Sequence, residues 1–349
     1  MLCSYFSDIT VDMKTTCVVG AGITGLLLLL LLEAAGVDMS KVTIIDPFFD
    51  GGDLARKWTT VLSNTPWSKT INSLQEHFPS LSILSSTAPT SATPLIEIAH
   101  LIRSLAENAL KKVALIQGTV ASANYSTEVG EWNVQALVGG VIQNISVKQL
   151  ILAPGGEPKT MNLAIPSIPL EVALDLQRLK HYVKNGENIL VFGTMHSGTL
   201  VIRNLASLAA NITAYYNSSE PFYWDRDGAY DGIKGEAATI ADDIVTGTIP
   251  VTLVSTKDTA SVIRTSREAQ WVVYAFGLTR RNVHLSLNGV EIISNEYGED
   301  SGKIKGLPAW GFGVAYPNRA PDGIHWDVGV APFLEHIKKQ IPDIISDNI

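Results

Sequence analysis

The apolar positions of this chain fall into short runs with changing period. Thr16–Val19 reads as a β-branched strand, Leu26–Ala35 as an apolar helix stopped by Gly36, and Val42–Ile45 as a second strand. A glycine-rich turn, Gly20-Ala-Gly-Ile-Thr-Gly25, joins the first strand to the helix, so the unit is a compact βαβ. Residues 47–80 look irregular, and 79–94 are dense in Ser, Thr and Pro and read as a surface loop. Leu95–Lys112 has the spacing of one amphipathic helix. A strand at Val113–Ile116 and a meander follow, over Val120–Tyr125, Trp132–Leu137 and Val141–Val147, with Gly139-Gly140 as a hairpin turn. Gln149–Ala153 is a further buried strand, ended by Pro154-Gly155-Gly156.

A second βαβ signal starts at Asn188. Asn188–Phe192 is a strand, Gly193-Thr-Met-His-Ser-Gly198 a turn, Thr199–Ala209 a helix and Ile212–Tyr216 a strand. Gly235–Thr246 is helical, Val251–Val254 and Trp271–Phe276 are strands, and a last helix lies near Pro332–Gln340. The pattern predicts an α/β protein with two Rossmann-like units.

Composition narrows the function. The chain has 349 residues, 46% hydrophobic and 17% charged, with a formal net charge of −8. Without a block of Lys and Arg, nothing argues for nucleic acid or an anionic membrane surface. The leucine run Leu26 to Leu32 is far short of the roughly 20 apolar residues of a membrane span, and belongs in a protein interior. The two cysteines, Cys3 and Cys17, cannot form a CxxC pair or a cysteine zinc site. Their scarcity, with no targeting segment, points to the cytoplasm. The histidines lack metal-ligand spacing, and no P-loop or Ser nucleophile elbow occurs, which disfavours a metalloenzyme or hydrolase.

The first glycine turn carries the chemistry. Gly20 permits the tight turn, Gly22 lets a pyrophosphate approach the backbone, and Gly25 lets helix and strand pack closely. The helix start offers free N–H groups to phosphate. Asp46 closes the second strand slightly beyond the spacing of roughly 20 residues at which an acid meets a ribose hydroxyl.

With these residues in place, the chain resembles the two-dinucleotide-binding-domain flavoproteins, the thioredoxin-reductase-like pyridine nucleotide oxidoreductases and flavin monooxygenases. Leu150-Ile-Leu-Ala-Pro-Gly-Gly156 matches the strand that ends in an A-T-G-like turn. Val272-Val-Tyr-Ala-Phe-Gly277 matches the strand through which the chain returns to the FAD domain. Gly51-Gly52-Asp53-Leu-Ala-Arg-Lys-Trp58 resembles the GG…W stretch of flavin monooxygenases, and His325-Trp-Asp-Val-Gly329 the final G-D motif. The resemblance implies an FAD domain over 14–160 and 273–349, interrupted by a smaller NAD(P)-type domain over 161–272. It places FAD on Gly20, Gly22, Ile23, Thr24, Gly25, Asp46, Pro47, Trp58, Asn64, Ala153, Gly155, Asp327 and Ala331. It places NAD(P) on Gly193, His196, Ser197 and Gly198. Family members are often dimers, which leaves a homodimer open.

The match is uneven. Met195 stands where the second turn should have its middle glycine, Trp326 precedes Asp327 where the family has Gly, and no monooxygenase linker signature lies between Gly156 and Gly193. Arg226 is the nearest arginine after Tyr216, so NADPH against NADH stays open. Redox-dithiol chemistry is excluded without CxxC. Two readings follow. One is an FAD-dependent oxidoreductase reduced by NAD(P)H, with monooxygenation as one branch and a small molecule as substrate; hydride transfer needs no catalytic side chain, and none is indicated. The other is an FAD- or nucleotide-binding protein with a degenerate NAD(P) site and a structural or sensing role.

Overall fold

The computed structural model describes residues 16–81, 91–222, 230, 232–292, 296–323 and 325–347. A five-stranded parallel sheet organises the first unit, in the order Ala309–Gly311, Gln149–Leu152, Thr16–Val19, Val42–Asp46, Ala114–Gln117. Four of its strands are buried along their whole length, while the edge strand Ala114–Gln117 is largely exposed. Helix Ile23–Ala34 crosses one face, beginning at Ile23 because Gly22 is its N-cap. Leu26 to Leu29 and Leu32 are fully buried in a core shared with Val18 and Ile44 of the sheet and Phe333, Leu334 and Ile337 of helix Val330–Ser346. At roughly 2 kcal/mol per buried leucine, these five contribute about 10 kcal/mol before entropy is counted. The leucine run is thus interior. Among the described residues, no helix is long and apolar enough to cross a membrane.

The second unit has a four-stranded parallel sheet in the order Thr252–Ser255, Asn211–Tyr216, Asn188–Phe192, Trp271–Tyr274. Helix His196–Ala206 and helix Glu236–Val245 pack on it through Val201, Leu205, Ala237 and Ile240. Strand Trp271–Tyr274 pairs with Asn188–Phe192, so the inserted sheet runs past the boundary expected after residue 272. The chain leaves it through Ala275–Gly277 and enters a two-stranded ribbon, Leu278–Arg280 against Gly156–Pro158.

The last part of the chain then rejoins the first unit twice. His284–Leu287 pairs with Thr119–Ser126 at one side of the meander, and Ala309–Gly311 completes the first sheet. The FAD-type unit is therefore discontinuous. In the meander, Glu131–Val138 buries every second residue, Trp132, Val134 and Ala136. Gly139 and Gly140 turn the chain into Val141–Val147.

Three stretches differ from the sequence-based expectation. Residues 67–77, expected to be irregular, form helix Trp67–His77, because Thr70, Ile71 and Leu74 share one buried face. The 95–112 helix is broken at Ala106 into Leu95–Leu105 and Glu107–Leu110. The span after residue 255 holds helix Thr259–Glu268, capped by the Asp258 carboxylate, which accepts from the Ser261 N–H at 3.0 Å.

Candidate functional site

Gly20 has φ +100°, and a Cβ there would lie 2.3 Å from the Ala153 carbonyl oxygen. A Cβ on Gly25 would lie 1.9 Å from the Gly20 oxygen. The protein's own packing therefore requires both glycines. Gly22 is different. Its φ of −66° is open to any residue, and a Cβ there would meet nothing closer than Gly52 Cα at 3.9 Å. Internal packing therefore does not demand glycine at 22. Gly51 pairs with Gly22 in a bridge, and Gly52 approaches so closely that its own Cβ would sit 2.9 Å from Gly22 Cα.

Asp46 is buried and ties this turn together. One carboxylate oxygen accepts from the Ala21 N–H at 2.8 Å, and the other from the Phe48 and Phe49 N–H groups at 2.7 and 2.8 Å. The acid fixes the glycine turn to the end of its strand and keeps lone pairs for a ribose hydroxyl. Gly20, Asp46 and Pro47 line a cavity of about 610 Å³ together with Asp53, Arg56, Lys57, Pro154 and Arg281. The Gly155 backbone is held by Arg281, whose N–H donates to its carbonyl at 3.0 Å. A glycine turn that opens a helix without a side-chain cap, with Gly20 and the buried Asp46 on a cavity wall that also carries Arg56, Lys57 and Arg281, fits the ADP half of FAD.

The second turn repeats the packing. Gly193 has φ +107° with its would-be Cβ 2.4 Å from the Ala275 oxygen, and the Gly198 Cβ would lie 2.0 Å from the Gly193 oxygen. Met195 takes the place of Gly22, as N-cap of the helix, with φ −79°. Its side chain is 37% exposed, and its methyl group lies 3.4 Å from where a Cβ on Gly232 would be. The strand ends at Tyr216, so no carboxylate stands where Asp46 stands in the first unit. Trp224 and Arg226 lie outside the described residues.

A smaller cavity, about 240 Å³, opens where the two units meet, and brings together Trp58, Asn64, His196 and Ser197. The rest of its wall is largely leucine and valine, with Ser63, Ala275 and Gly277, and carries no charged side chain. Burial holds the His196 imidazole below its usual pKa against the opposing pull of Glu236, and its Nδ1 has no hydrogen-bond partner.

Other expected contacts fall elsewhere. Asp327 and Ala331 line neither cavity. Asp327 lies in a two-residue hairpin strand against Asn318–Arg319 and accepts from Asn318 Nδ2 at 3.4 Å. The closing strand of the first sheet is Ala309–Gly311. The residue after it that meets the helix start is Gly313, whose would-be Cβ falls 2.4 Å from Thr24 Oγ1. Ile23 and Thr24 sit in the first turn of the helix, beside Gly313 in the case of Thr24. The sequence did not single out Asp53, Arg56, Lys57 or Arg281 as contacts. Arg281 meets Asp53 across 228 positions, for which no local pattern exists.

No protein-family model matches the chain. Its sequence is 25% identical over 386 aligned positions to Monooxygenase AgnR1 of Paecilomyces divaricatus, covering 93% of this chain and 96% of that one. Its structure matches the bacillithiol disulfide reductase Bdr (YpdA) of Bacillus cereus with a TM-score of 0.64 at 14% identity, over 95% of this chain and 99% of that one. This is the two-dinucleotide-binding-domain flavoprotein fold. The same fold appears in the FAD-bound cadaverine monooxygenase DfoA of Erwinia amylovora, with a TM-score of 0.59 at 11% identity over 95% of each chain. In this chain Gly20–Gly25 lies in the discontinuous unit and Gly193–Gly198 in the second one.

Proposed function

We propose that this chain is an FAD-dependent oxidoreductase of the monooxygenase kind, reduced by NAD(P)H, that acts on an uncharged small molecule. The observation that carries the FAD assignment is the glycine turn itself, whose Gly20 lines a cavity together with the buried Asp46 and with Arg56, Lys57 and Arg281. The likeness to a fungal monooxygenase over nearly the whole of both chains favours monooxygenation over disulfide reduction. The state of Cys17 speaks against dithiol chemistry, since it is fully buried and burial pushes its thiol up to about 12. Bound FAD supplies the redox chemistry, accepting hydride and passing electrons on.

The chain's own residues position and exclude. Gly20, Gly22, Ile23, Thr24 and Gly25 receive the pyrophosphate, Asp46 and Pro47 the ribose, and Ala153 and Gly155 wall the turn. Trp58 and Asn64 reach from this unit to the junction, where His196 and Ser197 face them. The junction cavity bears no charged side chain and His196 is held neutral, so a cationic or carboxylate substrate would lose its hydration there without a partner. NAD(P)H would dock along Gly193–Gly198 once the flexible Met195 side chain swings off the turn. We assign residues up to about 160 and from about 275 to the FAD domain, and the span between to the NAD(P)-type insert.

The test is spectroscopic. The purified protein, reconstituted with FAD if it emerges colourless, is expected to show a flavin spectrum that NADH or NADPH bleaches without oxygen. A bound flavin that neither nucleotide bleaches would overturn reduction by NAD(P)H. A protein that takes up no FAD would overturn the flavin assignment itself.

A further inference from the structure

Asp53 opens a one-turn helix, Asp53–Arg56, directly after the Gly51-Gly52 pair that lies along Gly22. Its carboxylate is only 12% exposed, yet three cations converge on it: Arg281 in an ion pair, and Arg56 and Lys57 each at 3.8 Å. Arg56 also has Asp50, at 3.0 Å. These three cations lie on the wall of the cavity that holds Gly20 and Asp46, alongside the carboxylates of Asp46, Asp53 and Glu157.

Arg281 is the most firmly placed of the three. One guanidinium nitrogen donates to the Pro154 carbonyl oxygen at 3.2 Å, another bonds Asp53, and its backbone N–H donates to the Gly155 oxygen at 3.0 Å. The planar group has five N–H donors, so donors remain for a ligand, and the side chain is one-third exposed. A fixed guanidinium matches the fork geometry of a phosphate better than an ammonium does.

We propose that Arg281 is a positioning residue for the pyrophosphate of the dinucleotide in the first cavity, held ready by Asp53 and Pro154. The proposal rests on the FAD reading above. Arg281 directly follows Leu278–Arg280, a strand of the ribbon through which the chain returns from the second unit. Binding of the pyrophosphate would therefore also pin that return segment.

Affinities of the full chain for FAD, ADP and adenosine, measured by calorimetry and ligand-observed NMR, test it. Arg281→Gln is expected to weaken FAD and ADP roughly tenfold to a hundredfold and to leave adenosine unchanged, because only the phosphates face the guanidinium. Arg281→Lys should recover part of the loss. Equal losses for ADP and adenosine would mean a structural role only and overturn the proposal, as would an unchanged ADP affinity. Asp53→Asn gives an independent arm should the Arg281→Gln chain not fold. It removes the charge that holds the guanidinium in place, so ADP should bind several-fold weaker with adenosine unchanged, and equal or tighter ADP binding would overturn the proposal. If the native chain binds neither FAD nor ADP, the FAD reading fails and this proposal with it. If the native chain binds FAD and Arg281→Gln binds ADP equally well, this proposal alone fails.

Discussion

Gly20 and Gly193 both hold φ near +100°, and a Cβ on Gly25 or Gly198 would fall 1.9 or 2.0 Å from a carbonyl oxygen. Between each pair the two units part company. Gly22 and Met195 adopt nearly the same extended N-cap backbone, at φ −66° and −79°, so the backbone accepts either residue. At the ends of the next strands stand Asp46, buried and triply bonded, and Tyr216. Two classes of glycine are thereby separated. The outer glycines of each turn serve strand–helix packing and are kept in both units. The middle position makes no such packing demand, and it is glycine in one unit only.

The strongest break of this comparison is at the outer positions. Gly25→Ala and Gly198→Ala each drive a methyl group into backbone and should each cost about 3 kcal/mol, seen as equal falls in chemical-denaturation stability of the unliganded chain. Gly22→Met should leave unliganded stability almost unchanged while weakening FAD by roughly a hundredfold, about 2.7 kcal/mol, by flavin fluorescence titration. A large loss of unliganded stability would show that Gly22 is a packing glycine after all. Met195→Gly should tighten NAD(P)H by roughly tenfold in the KM of anaerobic flavin reduction, with little change in melting temperature. If it does nothing, the methionine already lies clear of the nucleotide.

The smallest effect concerns pH. Burial keeps the folded-state pKa of His196, and of His336 beside Phe312, below that of a free imidazole. On acidification the unfolded chain takes up these protons first, so stability is full above about pH 6.5 and declines below it. His196→Gln should make the fall in melting temperature between about pH 7 and 5 less steep, and an unchanged slope would remove His196 from the account.

Much of this was legible along the chain. Gly20 to Asp46 announced a dinucleotide unit because its roles are local: a turn, a close approach, a helix start. The leucine run and the alternating Trp132, Val134 and Ala136 declared their burial through period alone. Helix Trp67–His77 was hidden because only Thr70, Ile71 and Leu74 are buried among polar neighbours. Asp327 drew attention as an acid near a glycine, but the closing strand of the sheet proved to be Ala309–Gly311, whose pairing with Gln149–Leu152 is set by tertiary structure. Arg281 and Asp53 are far apart in sequence, and only the folded ribbon brings them together.

The order of strands in the first sheet bears on how the chain is made. Gln149–Leu152 has Thr16–Val19 on one side and Ala309–Gly311 on the other, and the whole second sheet lies between those two segments in the chain. On a ribosome, the insert can complete its four strands while one edge of Gln149–Leu152 is still bare. For that interval a strand that is fully buried in the finished fold offers its unpaired backbone to any passing chain. Nascent chains stalled just before Ala309 should therefore be the ones that most need a chaperone, and extending them by only a few residues past Gly311 should relieve the need.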